Sequence, residues 1–145
     1  MLGDIPDILN ELRAFSDFYK TKMPMFRDVD HSTKVITDMI NDHSFYVAVK
    51  HHEEIFETVG FIAGYMFPHI YNPDIKTLVE SFWWVRPEHR RSGAGLMLLD
   101  TYIEFGKKNA DWVIMTIEDE TPVDPKLLID RGFRLKETNY IMEVH

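Results

Sequence analysis

The sequence predicts an α/β fold in which helices cover a sheet, and three observations carry that prediction. Apolar residues recur at helical spacing in two early stretches, and β-branched and aromatic residues dominate the middle of the chain. The last of those strand-like runs then passes through a glycine pair into an apolar helix. At 145 residues, with 45% hydrophobic and 13% aromatic content, the chain is long enough to bury one core, and a single domain over 1–145 is expected.

Asp4 and Pro6 read as a helix start, and Ile5, Ile8, Leu9, Leu12, Phe15 and Tyr19 continue the helical period to about Lys20. "TKMPMFRDVD" breaks that period at Pro24, and "HSTKVITDMIND" resumes it through Val35, Met39 and Ile40. From Ser44 the pattern changes. "SFYVAVK" and "TVGFIAGYMF", separated by the polar "HHEEIFE", read as antiparallel hairpin strands. "HIYNPDIK" reads as a loop, and "TLVESFWWV", apolar on both faces apart from Glu80 and Ser81, as a central strand. A regular strand would send Trp83 and Trp84 to opposite faces. Leu96, Leu99 and Ile103, with Leu98, Tyr102 and Phe105, then mark the core side of a helix ending near Gly106 to Asn109. "DWVIMTI" reads as a fourth strand, "KLLIDRG" as a short helix closed by Gly132, and "FRLKETNYIMEV" as one or two final strands around Thr138 and Asn139.

Composition excludes several function classes. With 16 Lys and Arg against 24 Asp and Glu, the formal charge of -8 argues against non-specific binding to nucleic acid or to an anionic membrane. No stretch approaches the run of apolar residues that a membrane span needs. Zero cysteines exclude a disulfide framework and a cysteine nucleophile, and a cytoplasmic protein is expected. The seven histidines are scattered without ligand spacing, so no metal is expected.

Against that acidic background, "VRPEHRRSGAGLMLLD" stands out. A nucleic-acid patch, an ordinary loop before a core helix and a phosphate cradle are its three readings. The spacing excludes a P-loop, which needs Gly-Lys followed by Ser or Thr, and a dinucleotide GxGxxG, whose third glycine would fall on Leu98. Gly93 and Gly95 stand where a strand hands over to a helix, whose first N–H groups and positive dipole end suit an anion. Arg90 and Arg91 add forked donors matched to phosphate oxygens.

The run Val85, Pro87, Arg90, Gly93, Gly95 resembles motif A of the GNAT superfamily of acyl-CoA dependent N-acetyltransferases, written V-x-P-x-x-[QR]-x-x-G-x-[GA]. "LLIDRGFRL" is similar to the family's C-terminal helix and Gly-Phe turn, and "ESFWWVRPEHR" to small GNAT proteins often found in phage genomes. The resemblance implies a central mixed, mostly antiparallel sheet with splayed central strands, flanked by about four helices, the first strand absent or very short. It also implies acetyl-CoA as acyl donor. The pantetheine arm would pair with the backbone of Trp83, Trp84 and Val85, and the pyrophosphate would sit on the amides of Arg91, Ser92, Gly93, Ala94 and Gly95 beside Arg90. The acceptor would be an amine on a small molecule, peptide or protein, attacking directly in a ternary complex.

Acyl transfer to an amine needs a base, and Glu80 is the candidate, flanked by apolar residues that can raise its pKa. The competing reading is a carboxylate paired with a basic neighbour. Glu80 also stands one residue closer to Arg90 than the matching glutamate in many members of the family, which on a regular strand reverses its direction. A β-bulge would restore it, with Ser81 as the alternative on the opposite face. Two family residues are replaced, the acid tyrosine by Leu128 and a helix-start asparagine by Thr121. These replacements keep a second reading open, a CoA-binding module with weak or no chemistry. Tyr140 is a substitute donor or an ordinary strand tyrosine. Met23, Met25 and Phe26 line an acceptor pocket or simply pack on the core, and Glu118 to Glu120 form a solvated loop or attract a cationic amine. Either the start site trims the missing first strand, or a second subunit of a homodimer covers the edge it leaves.

Overall fold

The computed structural model describes residues 7–8, 10–11, 14, 28–42, 44–55, 57–118 and 123–144. They fall into two compact units, 1–115 and 116–145. The fold is the expected mixed α/β arrangement, a four-stranded, mostly antiparallel sheet with helices.

In the first unit, Asp7, Ile8, Asn10, Glu11 and Ala14 are helical, within the helix that the 5–20 periodicity predicts. Helix α1 spans Val29–Asn41. Asp28 caps it, its side chain accepting from the His31 N–H at 2.9 Å. Ile36 and Ile40 turn inward whereas Val35, expected on the core stripe, is exposed. Strands β1 (Phe45–His51), β2 (Thr58–His69) and β3 (Asn72–Val85) form an antiparallel meander, and β4 (Trp112–Ile114) adds to β3 in parallel. Helix α2, Ala94–Asn109, makes the crossover from β3 to β4.

The alternation of side chains divides the core between the two faces of the sheet. Ile8 and α1's Ile36 pack with Phe61, Ala63 and Trp84 on one face. On the other, Ala94, Leu98 and Tyr102 of α2 cover Ile62, Leu78 and Val85, with Trp83 packed alongside. Trp83 and Trp84 thus separate to opposite faces, as the strand period requires.

Three segments differ from the sequence expectation. "HIYNPDIK" is the tight end of a long hairpin, with His69 paired to Asn72 and the turn on Ile70 and Tyr71. Side chains supply its partners: His69 Nδ1 accepts from the Tyr71 N–H at 3.3 Å and Asn72 Oδ1 from the Asp74 N–H at 3.1 Å. The fourth strand is confined to three residues, because its ladder with β3 ends at Val79 and Ile114. In the second unit, helix α3 (Lys126–Ile129) is followed by Gly132 at φ +93, as expected of a closing glycine. Phe133–Val144, expected as strand, form no ladder among the described residues, and Leu135, Tyr140, Ile141 and Met142 are exposed. Strand propensity does not by itself supply a partner edge. Among the described residues no helix is long and apolar enough to cross a membrane.

Candidate active site

The site is built on β3 and the turn that carries it into α2. Between Ala63 and Gly64 the β2–β3 register shifts: Ala63 faces Phe82 and Gly64 faces Glu80, so Ser81 is an extra residue in β3. Its effect is a change of face. Phe82 lies with the Ile8, Ile36 and Trp84 cluster. Without the bulge Glu80, two residues earlier, would share that side. Instead it pairs with Gly64, where an added Cβ would lie 2.6 Å from the Tyr102 hydroxyl of α2. Glu80 therefore shares the α2 face, half-buried.

The bulge coincides with the parting of β3 and β4. The parallel ladder stops at Val79, yet β3 continues through Glu80 to Val85. Along those six residues β3 and β4 no longer pair. The main-chain donors and acceptors of a strand edge are a template for an extended ligand.

Beyond Val85 the chain makes a single 3-10 turn, Pro87–His89, and enters α2 through Gly93 at φ +83. No atom lies within 4 Å of the position a Cβ would take there. The constraint on Gly93 is thus in the backbone, and the space beside it is open. Gly93→Ala should lower stability by about 1–2 kcal/mol through the left-handed φ alone, read as a fall in the chemical-denaturation midpoint; an unchanged midpoint would show that this turn relaxes. Gly95 has ordinary contacts instead, its added Cβ meeting Val85 at 3.5 Å and Trp83 at 3.9 Å.

Among the described residues the first α2 N–H groups meet little. Ala94 N–H reaches Ser92 Oγ at a long 3.4 Å, and the first helical bond is Met97 N–H to Gly93 C=O, 3.1 Å. Ser92 donates its hydroxyl to the His89 carbonyl at 2.6 Å, which ties the turn together. Arg90 does the same from the other end: its Nε–H donates to the Val85 carbonyl at 3.1 Å and its guanidinium lies 5.1 Å from the centre of the Trp84 ring. Arg91 is exposed. The structure thus brings Glu80, Trp83, Trp84, Val85 and Arg90 to Gly95 together along one strand, turn and helix start.

Leu128 is buried in α3 at 8% exposure, and Tyr140 is 95% exposed. Thr121, Met23, Met25, Phe26, Asp119 and Glu120 lie outside the described residues, and Glu118 is exposed. Among the described residues no group of three or more His, Asp or Glu is arranged to hold a metal ion.

Two features went unread in the sequence. The buried carboxylate of Glu11, 1% exposed, accepts from Trp84 Nε1–H at 3.2 Å and from Arg86 Nε–H and Nη2–H at 2.9 and 2.6 Å. Arg86 also pairs with Glu57. Hydrogen bonding to Glu11 raises the Arg86 pKa further, against the opposing effect of burial. This clamp joins the N-terminal helical residues to the end of β3, directly before the glycine turn. The signal was a carboxylate three residues after Ile8, on the apolar stripe of the predicted helix. The second feature is Tyr102, whose hydroxyl is buried without a hydrogen-bond partner. A tyrosine on the core side of a helix raises the question of its hydroxyl's partner.

Comparisons with known proteins agree with the fold. The family model described as "Acetyltransferase (GNAT) family" matches residues 9–122. No curated protein matches. Among solved structures, a "probable acetyltransferase" superposes with a TM-score of 0.78 at 16% identity, covering 100% of this chain and 95% of its own. A "predicted acetyltransferase with acetyl-CoA" from Clostridium acetobutylicum gives 0.71 at 15% identity, with 100% and 92% covered. A ribosomal-protein-alanine N-acetyltransferase from Brucella melitensis biovar Abortus 2308 gives 0.64 at 14% identity, with 93% and 94% covered. At these identities the likeness is one of fold.

Proposed function

The chain belongs to the acetyltransferase (GNAT) family, and from that premise we propose that it transfers an acetyl group from acetyl-CoA to a primary amine by direct attack in a ternary complex. The observation that carries the reading is the stretch of β3 from Glu80 to Val85, beyond the end of its ladder with β4, running straight into the open Gly93 turn at the start of α2. An extended pantetheine arm fits the edge, and a pyrophosphate fits the turn.

In this mechanism, main-chain groups of Trp83, Trp84 and Val85 hold the arm, and the amides of Arg91, Ser92, Gly93, Ala94 and Gly95 hold the pyrophosphate. Arg90, anchored on Val85 and Trp84, keeps the turn in shape and adds positive charge. Glu80 accepts the proton that the amine loses and can return it to the departing thiolate, whose ordinary thiol pKa of about 8.5 makes it a tolerable leaving group. The acceptor is an amine on a small molecule, a peptide or a protein; one fold relative carries the name of a ribosomal-protein-alanine N-acetyltransferase. A cytoplasmic location and the subgroup likeness of "ESFWWVRPEHR" to phage-associated members belong to the same reading.

Titration calorimetry with acetyl-CoA is the direct test. Wild type should bind one molecule, and the Arg90→Ala, Gly93→Trp double variant should bind at least about tenfold more weakly, as loss of a charge-assisted contact and a blocked turn require. No binding by wild type, or identical binding by the double variant, overturns the cradle. Leu128, buried where many relatives carry a tyrosine, favours one second reading, a CoA-binding module with weak or no chemistry. Acetylation of any amine in an acceptor screen decides against it.

A further inference from the structure

The Tyr102 hydroxyl is fully buried and has no hydrogen-bond partner among the described residues. An unmet buried hydroxyl is costly, and native cores rarely keep one without a use. Its placement suggests the use. The hydroxyl lies over Gly64, where an added Cβ would come within 2.6 Å of it, and Gly64 is the cross-strand partner of Glu80. The Ser81 bulge is what turns Glu80 onto the face that α2 covers. Bulge, glycine and tyrosine thus converge on one carboxylate.

We propose that Tyr102 is a positioning residue for Glu80: its hydroxyl donates a hydrogen bond to the Glu80 carboxylate, reached by a change of Glu80 rotamer or through one bridging water, and so fixes the direction and charge state of the base. The inference rests on the reading of Glu80 as that base. The electrostatics agree with the geometry. Burial first, then the charge of Glu80, then Tyr65, push the Tyr102 phenol far above the ordinary tyrosine range. It therefore stays protonated and remains a donor at every working pH. The other titratable group whose ring meets Tyr102 is Tyr46 of β1, 6.2 Å away, its own pKa raised by burial. Among the described residues that act on Tyr102, Glu80 supplies the carboxylate, beside the phenols of Tyr65 and Tyr46.

The sign of the effect follows. A hydrogen bond to the ionised carboxylate stabilises it and lowers its pKa, so removing the donor raises the pKa. NMR titration of protein carrying 13C-labelled glutamate and tyrosine, with Glu80 assigned by comparison with Glu80→Gln, reads this directly. In Tyr102→Phe, which keeps the ring and its packing, the Glu80 pKa should rise by about one pH unit. In wild type, the Tyr102 ring carbon bearing oxygen should shift as Glu80 titrates, and this step should vanish in Glu80→Gln. A Glu80 pKa unmoved by Tyr102→Phe, or a flat Tyr102 resonance through the Glu80 titration, overturns the proposal; the second readout uses wild type and does not depend on the variant folding. If Glu80 is the base, the acid limb of the kcat/KM profile in Tyr102→Phe moves up by the same amount while the KM for acetyl-CoA holds. Full turnover by Glu80→Gln alongside an intact NMR coupling would remove Glu80 from the chemistry and leave the hydrogen bond standing.

Discussion

Glu80→Gln should reduce turnover by about 10²- to 10⁴-fold, the range for loss of a positioned general base, while acetyl-CoA binding by calorimetry stays at the wild-type level. The amide is nearly isosteric with the carboxylate but cannot accept the amine's proton at working pH. Binding is preserved because the proposed cradle is made of main-chain groups on the other side of the bulge, from Trp83 to Gly95, with Arg90 anchored to Val85. The loss should appear in kcat and kcat/KM together, as it does when an interaction belongs to the transition state. It should also shrink as pH rises and more of the amine arrives already neutral. Unchanged turnover would exclude Glu80 as the base and leave Ser81 and its neighbours to be tried.

Glu11→Ala should destabilise the protein by about 3 kcal/mol, measured by urea unfolding. The value sits at the low end for breaking a buried ion pair, because Arg86 keeps Glu57 and 25% of its side chain reaches solvent. What is lost is a carboxylate that satisfies three donors, Trp84 Nε1–H, Arg86 Nε–H and Arg86 Nη2–H. The buried Trp84 Nε1–H then loses this acceptor. Glu57→Ala is the control. Its side chain is 46% exposed, so the same arginine loses a partner at a cost of at most about 1 kcal/mol. Equal effects of the two substitutions would mean that burial of Glu11 contributes nothing. Because Arg86 directly precedes Pro87 and the glycine turn, a weakened clamp should also loosen acetyl-CoA binding, separating the variants a second time.

Much of the fold was legible in the residues because its signals are local. The change from helical period to β-branched runs at Ser44, the Arg90 to Gly95 spacing and the hydrophobic stripe of α2 need no knowledge of distant partners. Where partners matter, the sequence reading went astray. "HIYNPDIK" looks like a loop because it carries the turn pair Asn72 and Pro73, yet cross-strand pairing carries the ladder to His69 and Asn72. "FRLKETNYIMEV" has strand composition, yet among the described residues it forms no ladder. Leu96 matched the helical period, but α2 begins at Ala94 and leaves it on an exposed first turn.

The residues alone determined the α/β class, the strand-to-helix turn at Gly93 and the opposite faces of Trp83 and Trp84, since backbone conformation and side-chain period are properties of adjacent residues. Tertiary structure alone decided which way Glu80 points, because one extra residue at Ser81 reverses a face and a bulge exists only relative to the strand it opposes. It alone brought Tyr102 to Gly64, 38 positions away along the chain, and Glu11 to Arg86, 75 positions away. Long-range pairing of buried polar groups is settled by packing, in which each group takes the partner that the fold leaves within reach.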